Sequence, residues 1–386
     1  MLKPRVKILH TADWHIGLSS WRTQREVDRL EEQRECLEEM LVVAKEEKVD
    51  LVVHAGDLFH HSYHPPKEAI RLVVDTIRSF TQFTLFVWVV GNHDWYAVEP
   101  LRGVFPERML VIKDFDVRHL QDVGVSIFPL PYLSLARFLG NGPGSESQSV
   151  ARENIRAHMD RWKENRHPFF WNILVAHVTI EDLALHYLEA NANREVFLKR
   201  GDLPSFFHYG AFGHLHDMIP LRNPFPIQYP SSLVLDNFKQ VGKKSGGFVV
   251  VELCEGEQAK ITPHFFDNSR LLSFDLEEKR DKKAIQAMIE GCLGPKRNYV
   301  RLRIREEIMD AEWCRDLREL EGENWKVVMT EVIAREHELP EAEESVELDT
   351  IPQLFSRFCQ ENRFSEDVVR LFEFYYRGVL EGEETE

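Results

Sequence analysis

Short apolar runs alternate with longer amphipathic stretches over the first 130 residues. The predicted strands are Val6–Leu9, Asp50–His54 and Thr84–Val90, and the predicted helices are Glu26–Lys48 and Pro66–Phe80. The first helix repeats apolar side chains at helical spacing, and the second begins with a proline, which suits a first helical turn. Nearly continuous Val, Leu and Ile in strands that alternate with helices predict a buried, largely parallel sheet.

Strands predominate from about residue 111 onward. The pattern predicts them at Val117–Leu120, Val125–Leu130, Ile173–Ala176, Tyr209–Phe212 and Gly247–Leu253. One predicted helix, Val150–Glu164, interrupts them, and the Gly- and Ser-rich stretch Gly140–Ser149 has the composition of a surface loop. We therefore expect a mixed α/β (α+β) fold in which two sheets pack together and helices flank them.

A second unit begins near residue 268. Its predicted strands and helices alternate as a small α/β domain: Leu272–Leu276, Lys282–Cys292, Tyr299–Ile304, Asp310–Leu320 and Trp325–Ile333. The Glu-rich stretch 335–350 is predicted as an exposed acidic linker, and residues 351–386 as a pair of amphipathic helices. The predicted domains are therefore 1–267 and 268–334, followed by the linker and the helix pair.

Net charge, cysteine content and hydropathy indicate which classes of protein this chain can belong to. The net charge is −16, of which −13 lies in residues 301–386, so the acidity says little about the N-terminal surface. The five cysteines are odd in number and none are spaced as C-x-x-C, which argues against a disulfide framework and a thiolate zinc site. The most apolar stretch, Phe83–Val90, is too short to span a bilayer. We expect a cytoplasmic protein without a membrane partner.

Five short polar motifs each follow a predicted strand, the place where α/β sheets bind ligands. They are Asp13-Trp14-His15, Gly56-Asp57, Gly91-Asn92-His93-Asp94, His177 and Gly213-His214-Leu215-His216. Each alone is weak, but the ordered set combines carboxylate, carboxamide and imidazole groups that suit Mn²⁺, Fe²⁺ or Zn²⁺. A carboxylate can bridge two ions, and paired ions stabilise both oxygens of a phosphoryl displacement. The sequence therefore predicts a two-metal phosphoesterase.

The ordered set resembles the calcineurin-like metallophosphoesterase superfamily. Residues 8–17 (Ile-Leu-His-Thr-Ala-Asp-Trp-His-Ile-Gly) and 56–60 (Gly-Asp-Leu-Phe-His) are similar to the SbcD nuclease family, the bacterial double-strand-break repair nuclease that works with an SMC-like ATPase. The resemblance covers residues 6–255 and extends to a capping domain at 268–334. It implies a four-layer metallophosphoesterase β-sandwich flanked by helices.

The resemblance also implies a role for each motif residue. One metal ion would be held by Asp13, His15 and His216, and the other by Asn92, His177 and His214, with Asp57 bridging them. His93 would stabilise charge on the scissile phosphate and protonate the leaving oxygen, and Asp94 would orient His93. His60 matches a family histidine that positions substrate for exonuclease action, whereas His10, His54, His61 and His64 match no ligand position. Pro230-Ser231-Ser232 replaces the family's Pro-Gly-Ser, which we expect to alter a loop near the site.

The family further implies DNA as substrate, two Mn²⁺ ions, and an SbcC-like ATPase that binds residues 351–380. It implies a homodimer formed through Pro66–Phe80 and the Tyr96–Arg108 region. DNA contacts should go mainly to backbone phosphates, since a processing nuclease needs little base recognition. The basic candidates for those contacts are Arg22, Arg25, Arg29, Lys199–Arg200 and Lys243–Lys244.

The leading hypothesis is therefore a Mn²⁺-dependent DNA nuclease subunit of an SbcCD-like complex in repair and recombination. It would act as an exonuclease on double-stranded ends and as an endonuclease on single strands or hairpins. Two alternatives stay open at this point. One is a phosphodiesterase or phosphatase for small substrates with the same metal centre. The other is a catalytically idle scaffold for the ATPase, against which intact Asn92 and His93 argue.

Overall fold

The computed structural model describes residues 5–98, 107–132, 144–183, 195–222, 224–243, 246–294 and 296–333. The strands are β1 Arg5–Thr11, β2 Ser19–Ser20, β3 Val27–Asp28, β4 Leu51–His54, β5 Leu85–Val89, β6 Met109–Ile112, β7 Arg118–Leu120, β8 Val125–Leu130, β9 Trp171–His177, β10 Thr179–Ile180, β11 Phe197–Leu198, β12 Tyr209–Gly213, β13 Met218–Leu221, β14 Ile227–Pro230, β15 Gly247–Cys254, β16 Lys260–Phe265, β17 Ser269–Leu276, β18 Arg297–Arg305 and β19 Trp325–Ile333. The α-helices are α1 Leu30–Glu46, α2 Lys67–Thr81, α3 Gly144–Trp162, α4 Lys282–Glu290 and α5 Ala311–Arg318.

Two six-stranded mixed sheets form the body of the molecule. The first has the order β16-β15-β1-β4-β5-β6, and its four strands from β1 to β6 are parallel. The second has the order β13-β14-β12-β9-β8-β7, in which β14, β12, β9 and β8 are parallel. Antiparallel strands complete both sheets at their edges. The largely parallel arrangement predicted for the first sheet is thus confirmed at its centre.

The two sheets pack face to face, and helices cover their outer faces. Side chains from both sheets share one buried cluster, which includes Ile8 and Val53 from the first sheet and Ile173 and Val175 from the second. Helices α1 and α2 cover the other face of the first sheet, and α3 covers that of the second. These layers are the four-layer β-sandwich that the sequence predicted.

Two predicted helix boundaries need correction. Helix α1 begins at Leu30 rather than at Glu26, because Val27 and Asp28 pair with β2 and the Asp28 carboxylate accepts the Leu30 N–H at 2.8 Å. Helix α3 begins at Gly144, so the predicted loop over Gly140–Ser149 is wrong from residue 144 onward, while 140–143 lie outside the described residues. The Gly- and Ser-rich composition misled the prediction. The helix is extended by packing, and the Gln148 side chain binds the backbone at Glu195 and Phe197.

Residues 269–333 form a third, parallel sheet in the order β17-β18-β19. Helices α4 and α5 cover one of its faces, and this module has its own buried core. A separate apolar cluster joins Leu271, Tyr299 and Val328 of the module to Trp21 and Phe238 of the first body. The described residues therefore belong to one compact unit, and a domain boundary at 268 stays a prediction.

Several predictions fall outside the described residues. They include the acidic linker 335–350, the helix pair 351–386 and most of the Tyr96–Arg108 region. Within the described ranges, no helix combines the length and the apolar character that crossing a membrane requires.

Candidate metal centre

The predicted motifs meet at one edge of the packed sheets. Asp13 follows β1, Asp57 follows β4 and Asn92 follows β5 of the first sheet, whereas His177 ends β9 and His214 follows β12 of the second. Backbone hydrogen bonds align the first two turns, since the Asp13 N–H donates to the Gly56 carbonyl at 2.9 Å and the His15 N–H donates to the Asp57 carbonyl at 3.0 Å. The carboxyl ends of strands from two sheets thus face one another across a common site.

One cluster contains Asp13, His15 and His216, whose ligand atoms lie within 4.8 Å of one another. The two imidazole Nε2 atoms are 3.1 Å apart, and Nε2 of His216 is 4.0 Å from the Asp13 carboxylate. The Asp13 carboxylate also accepts the His214 N–H at 3.0 Å. The three residues predicted to hold one ion are therefore adjacent.

A second cluster contains Asp57, His177 and His214, again within 4.8 Å. Nε2 of His177 lies 3.2 Å from Nδ1 of His214 and 2.9 Å from Oδ1 of Asn92, which joins the same group. Oδ2 of Asp57 is 3.4 Å from Nε2 of His177 and 3.6 Å from Nε2 of His15. This carboxylate oxygen therefore lies between the two clusters, as a bridging ligand would.

Hydrogen bonds on the outer sides of two imidazoles fix which nitrogens face inward. Nδ1 of His177 lies 2.7 Å from the Ala55 carbonyl, which can only accept, so Nδ1 carries the hydrogen. Nε2 of His214 lies 2.8 Å from the Glu195 carboxylate and donates in the same way. When both rings are neutral, the inner nitrogens direct lone pairs towards each other and towards the Asn92 oxygen. A shared cation satisfies such a group of acceptors, so the donor set fits a metal ion.

The pKa values of the acidic and histidine side chains in the two clusters depend on their burial and on the charges of their neighbours. Burial favours the neutral form of the Asp57 carboxyl, but His177, His15 and His93 outweigh it and hold the pKa of Asp57 well below its ordinary value. Burial likewise opposes charge on His177, but Asp57 and Asp13 raise its pKa to about 9. Burial raises the pKa of Asp13. Burial also lowers the pKa of His15 well below its ordinary value, so that ring is neutral, and the charged Asp57 carboxylate is the group that favours a cation here.

His93 lies beside the first cluster and is held from behind by the loop after β4. Its Nδ1 donates to the His60 carbonyl at 2.7 Å, and its ring centroid is 4.8 Å from that of His15. The His60 ring stacks near His93 at 5.8 Å and is half-buried, and burial lowers the pKa of His60 to about 4. His60 therefore contacts His93 through its backbone, a relationship that the sequence did not indicate.

Asp94 does not make the contact with the His93 ring that was predicted for it. Its buried carboxylate accepts the backbone N–H groups of Asp57, Leu58, Phe59 and Gly91 and the indole N–H of Trp88, at 2.7–3.3 Å. These donors surround the carboxylate, and the His93 ring is instead bonded to the His60 carbonyl. Burial and the nearby Asp57 charge raise the pKa of Asp94 to about 6. Asp94 thus shapes the turn that carries Asp57, and the expected orientation of His93 by Asp94 needs correction.

Two carboxylates at the site were missed by sequence reasoning. Glu195 binds Nε2 of His214, and the Asp236 carboxylate lies 4.0 Å from Nδ1 of His216. Burial is outweighed by His216, which lowers the pKa of Asp236 to about 2, and Asp236 in turn raises the pKa of His216 to about 9. Neither residue lies in a recognisable motif.

The backbone around the site adopts conformations that few residues tolerate. Asp13, His15, Asp57 and His214 all have positive φ angles of 51°, 44°, 58° and 97°, which is strained for residues other than glycine. Ser231, which stands where the family has glycine, also has a positive φ of 77°, and its hydroxyl donates to the His216 carbonyl at 2.9 Å. Ser231 thus has the left-handed conformation that favours glycine, and the expected alteration of this loop stays a prediction.

The basic residues proposed for DNA contacts differ in their accessibility. Arg29 is fully buried in a bidentate pair with Glu32, so its prediction as a DNA contact is wrong. Arg25 donates to the backbone carbonyls of the third-sheet module at Arg318, Leu320 and Val327. The others form surface ion pairs: Arg22 with Glu26, Lys199 with Glu181, Arg200 with Asp182, and Lys243 with Asp217. Lys244 lies outside the described residues.

Residues 6–218 match the sequence model of a family described as calcineurin-like phosphoesterase. The chain belongs to this family. As a member it is a hydrolase of phosphoester bonds, and the two adjacent clusters of His and Asp agree with the family's dimetal chemistry. The fold and enzyme class predicted from the motifs are confirmed.

Two curated relatives carry names that identify them as the SbcD component of the nuclease SbcCD. The protein from Staphylococcus saprophyticus is 27% identical over 316 residues, which cover 78% of this chain and 78% of the relative. The protein from Staphylococcus epidermidis is 29% identical over 262 residues, which cover 62% of this chain and 64% of the relative. The likeness to SbcD nucleases is thus confirmed over most of the chain.

Two solved structures align with about two thirds of this chain. A dimetal phosphatase from Danio rerio aligns with a TM-score of 0.42 and 11% identity, covering 68% of this chain and 96% of that one. A Thermus thermophilus structure aligns with a TM-score of 0.40 and 14% identity, covering 67% and 98%.

Proposed function

We propose that this phosphoesterase is the nuclease subunit of an SbcCD-like complex and hydrolyses phosphodiester bonds of DNA. The observation that carries the proposal is the Asp57 oxygen between two clusters, 3.6 Å from His15 and 3.4 Å from His177. A bridged pair of ions suits in-line displacement at a phosphodiester. The names of the two curated relatives favour DNA over a small substrate. Exonuclease action on duplex ends and endonuclease action on single strands or hairpins belong to this proposal.

The proposed ligand sets follow the clusters. Asp13, His15 and His216 would hold one ion, Asn92, His177 and His214 the other, and Asp57 both. Two bound divalent ions, for which we propose Mn²⁺, supply a nucleophilic water and stabilise charge on the phosphate.

His93 is the proposed general acid. Because its Nδ1 hydrogen is committed to the His60 carbonyl, the protonated ring has a second N–H at Nε2 that can be given to a leaving oxygen. The hydrogen bond to the His60 carbonyl also holds the ring in one orientation. His60 would thus position His93 in addition to any contact with substrate.

The test uses the purified chain with Mn²⁺, linear duplex DNA, hairpin DNA and a small phosphodiester, bis(p-nitrophenyl) phosphate. We expect cleavage of both DNAs by the wild type, loss on chelation, and a fall of about 10²–10⁴-fold in His93→Ala, the usual range for removing a general acid. Rapid turnover of the small diester without DNA cleavage would sink the nuclease proposal. A wild type and a His93→Ala variant that are equally inactive on every substrate would favour the scaffold alternative.

We also propose that residues 351–380 bind an SbcC-like ATPase and that the chain forms a homodimer. Deletion of residues 345–386 should abolish co-purification with that ATPase while leaving hydrolysis of the small diester intact. Retained co-purification would refute the assignment of the partner site. Sedimentation of the isolated chain measures the dimer directly. The cytoplasmic location stays a prediction.

A further inference from the structure

Two tyrosines stack on each other at the protein surface. The ring centroids of Tyr63 and Tyr96 are 4.3 Å apart and their planes differ by 16°. In the single chain the two residues are 63% and 54% exposed, and Tyr96 stands at the first position of the region expected to contact a second copy, so the proposal requires that this tyrosine stay accessible in a dimer. Each ring restrains the other, so the pair presents a flat aromatic face to solvent at little further cost in side-chain entropy.

The pair lies next to the candidate metal centre. Tyr63 is three residues after His60, and Tyr96 is three residues after His93. The rings of these two histidines are themselves nearly parallel, at 23°, and the His93 ring is bonded to the His60 backbone. The two loops therefore leave the centre side by side. Because three extended residues span at most about 11 Å, the Cα of Tyr63 lies within that distance of the Cα of His60, and the Cα of Tyr96 within that distance of the Cα of His93.

We propose that Tyr63 and Tyr96 form a stacking surface for an unpaired nucleobase of the strand being cut. This inference rests on the proposed nuclease function. Every nucleobase has a π face, so an aromatic surface holds a strand without reading its sequence. At the duplex spacing of about 3.4 Å per nucleotide, about 11 Å corresponds to about three nucleotides, so the proposed occupant is a base a few positions from the scissile phosphate. The metal centre would bind the scissile phosphate, and the two tyrosines would stack on the base.

The experiment compares two single-stranded substrates of equal length and charge, oligo(dT) and an abasic deoxyribose-phosphate oligomer, with full-length protein and Mn²⁺. For the wild type we expect a KM about tenfold lower for oligo(dT), the low end of the range for one stacked base. Tyr63→Ala and Tyr96→Ala should raise the KM for oligo(dT) about tenfold, with kcat unchanged and with no effect on the abasic oligomer. Tyr63→Phe and Tyr96→Phe, which keep the ring, should restore the wild-type KM.

A matched control is Phe169→Ala. Phe169 is 53% exposed and precedes β9, at the opposite end of that strand from His177. Its loss should leave both KM values unchanged. An equal change of KM on the two substrates in the tyrosine variants would overturn the proposal, as would a change in sedimentation that accounts for the lost activity, because the pair would then be a contact between copies.

The outcomes separate this inference from the function on which it rests. If the wild type cuts oligo(dT) but its alanine variants do so with an unchanged KM, the stacking surface is refuted and the nuclease proposal stands. If the wild type hydrolyses bis(p-nitrophenyl) phosphate but cuts neither oligomer, the nuclease proposal fails and the stacking surface fails with it.

Discussion

The guanidinium of Arg29 binds the carboxylate of Glu32 through two hydrogen bonds of 2.9 and 3.0 Å, and both side chains are buried. The same carboxylate accepts the hydroxyls of Ser269 and Tyr299 from the third-sheet module. The guanidinium also lies 4.4 Å from the Tyr299 ring centroid and donates to the Leu235 carbonyl at 2.9 Å, one residue before Asp236. One buried ion pair therefore joins the module to the segment that supports His216.

Removing Arg29 should be strongly destabilising. Arg29→Ala leaves the Glu32 charge buried and unpaired, which typically costs about 3–5 kcal/mol of the free energy of unfolding. Urea denaturation measures the loss. The matched control is Arg34→Ala, which removes an exposed pair with Glu31 at the same i,i+3 spacing and should cost about 1 kcal/mol or less. Similar losses for the two variants would contradict the structural role of Arg29.

A methyl group at Gly91 should disable the centre. A Cβ there would lie 2.2 Å from Oδ1 of Asp57, closer than any real contact, so this carboxylate, which we propose as the bridging ligand, must move. A displacement of about 1 Å at a reacting centre costs about a hundredfold in kcat, and we expect that fall for Gly91→Ala on bis(p-nitrophenyl) phosphate. Gly201→Ala, whose Cβ meets nothing within 4 Å, is the control and should retain full activity.

The main effect of losing the Glu195 carboxylate should be a lower affinity for metal ions. It holds the hydrogen on Nε2 of His214 and so keeps Nδ1 free to bind an ion. Partners of this kind are worth about 10–100-fold in metal affinity, which Mn²⁺ titration calorimetry of Glu195→Gln will measure. Glu181→Gln provides the comparison, since Glu181 pairs with Arg152 and Lys199 instead. An unchanged affinity in Glu195→Gln would rule out this supporting role.

The contact between α1 and the module should weaken in acid. Two hydrogen bonds from Arg297, at 2.7 and 2.8 Å, lower the pKa of Glu35 below its ordinary value. A lowered carboxyl pKa adds stability above the ordinary pKa, and that stability is lost as the pH falls through the lowered one.

Because both side chains are more than a third exposed, solvent screening limits the effect to about 1 kcal/mol. The difference in unfolding free energy between wild type and Glu35→Gln should therefore be present at about pH 7 and absent at about pH 3. Glu38→Gln on the same helix, which leaves the pair of Glu35 with Arg297 intact, is the matched control. A gap for Glu35→Gln that persists in acid would contradict the prediction.

The sequence was sufficient to predict those site residues whose position depends only on the strand next to them in the chain. Asp13, Asp57 and His177 directly follow or end apolar strands, and strand ends converge in this kind of sheet, so motif and position were enough. The helix starts at Leu30 and Gly144 were mispredicted because they depend on pairing with β2 and on contacts with Glu195, which no local pattern encodes.

The supporting groups escaped prediction for the same reason. Glu195 and Asp236 act on histidines far from them along the chain or in another loop, and their charges look like ordinary surface acids in the sequence. Asp94 stands beside His93 in sequence but turns its carboxylate towards the loop of Asp57. Adjacency in a motif therefore predicts that residues share a site and does not predict which of them touch.

The proposed metal ligands come from both sheets: Asp13, Asp57 and Asn92 follow strands of the first, and His177, His214 and His216 end or follow strands of the second. During translation, the first three of these residues are synthesised well before β12. An emerging or truncated chain can complete the turns of the first sheet and still present only half of the ligands. We therefore expect catalytic competence only once the two sheets have docked, and no hydrolysis of phosphodiesters by a chain that ends before β12.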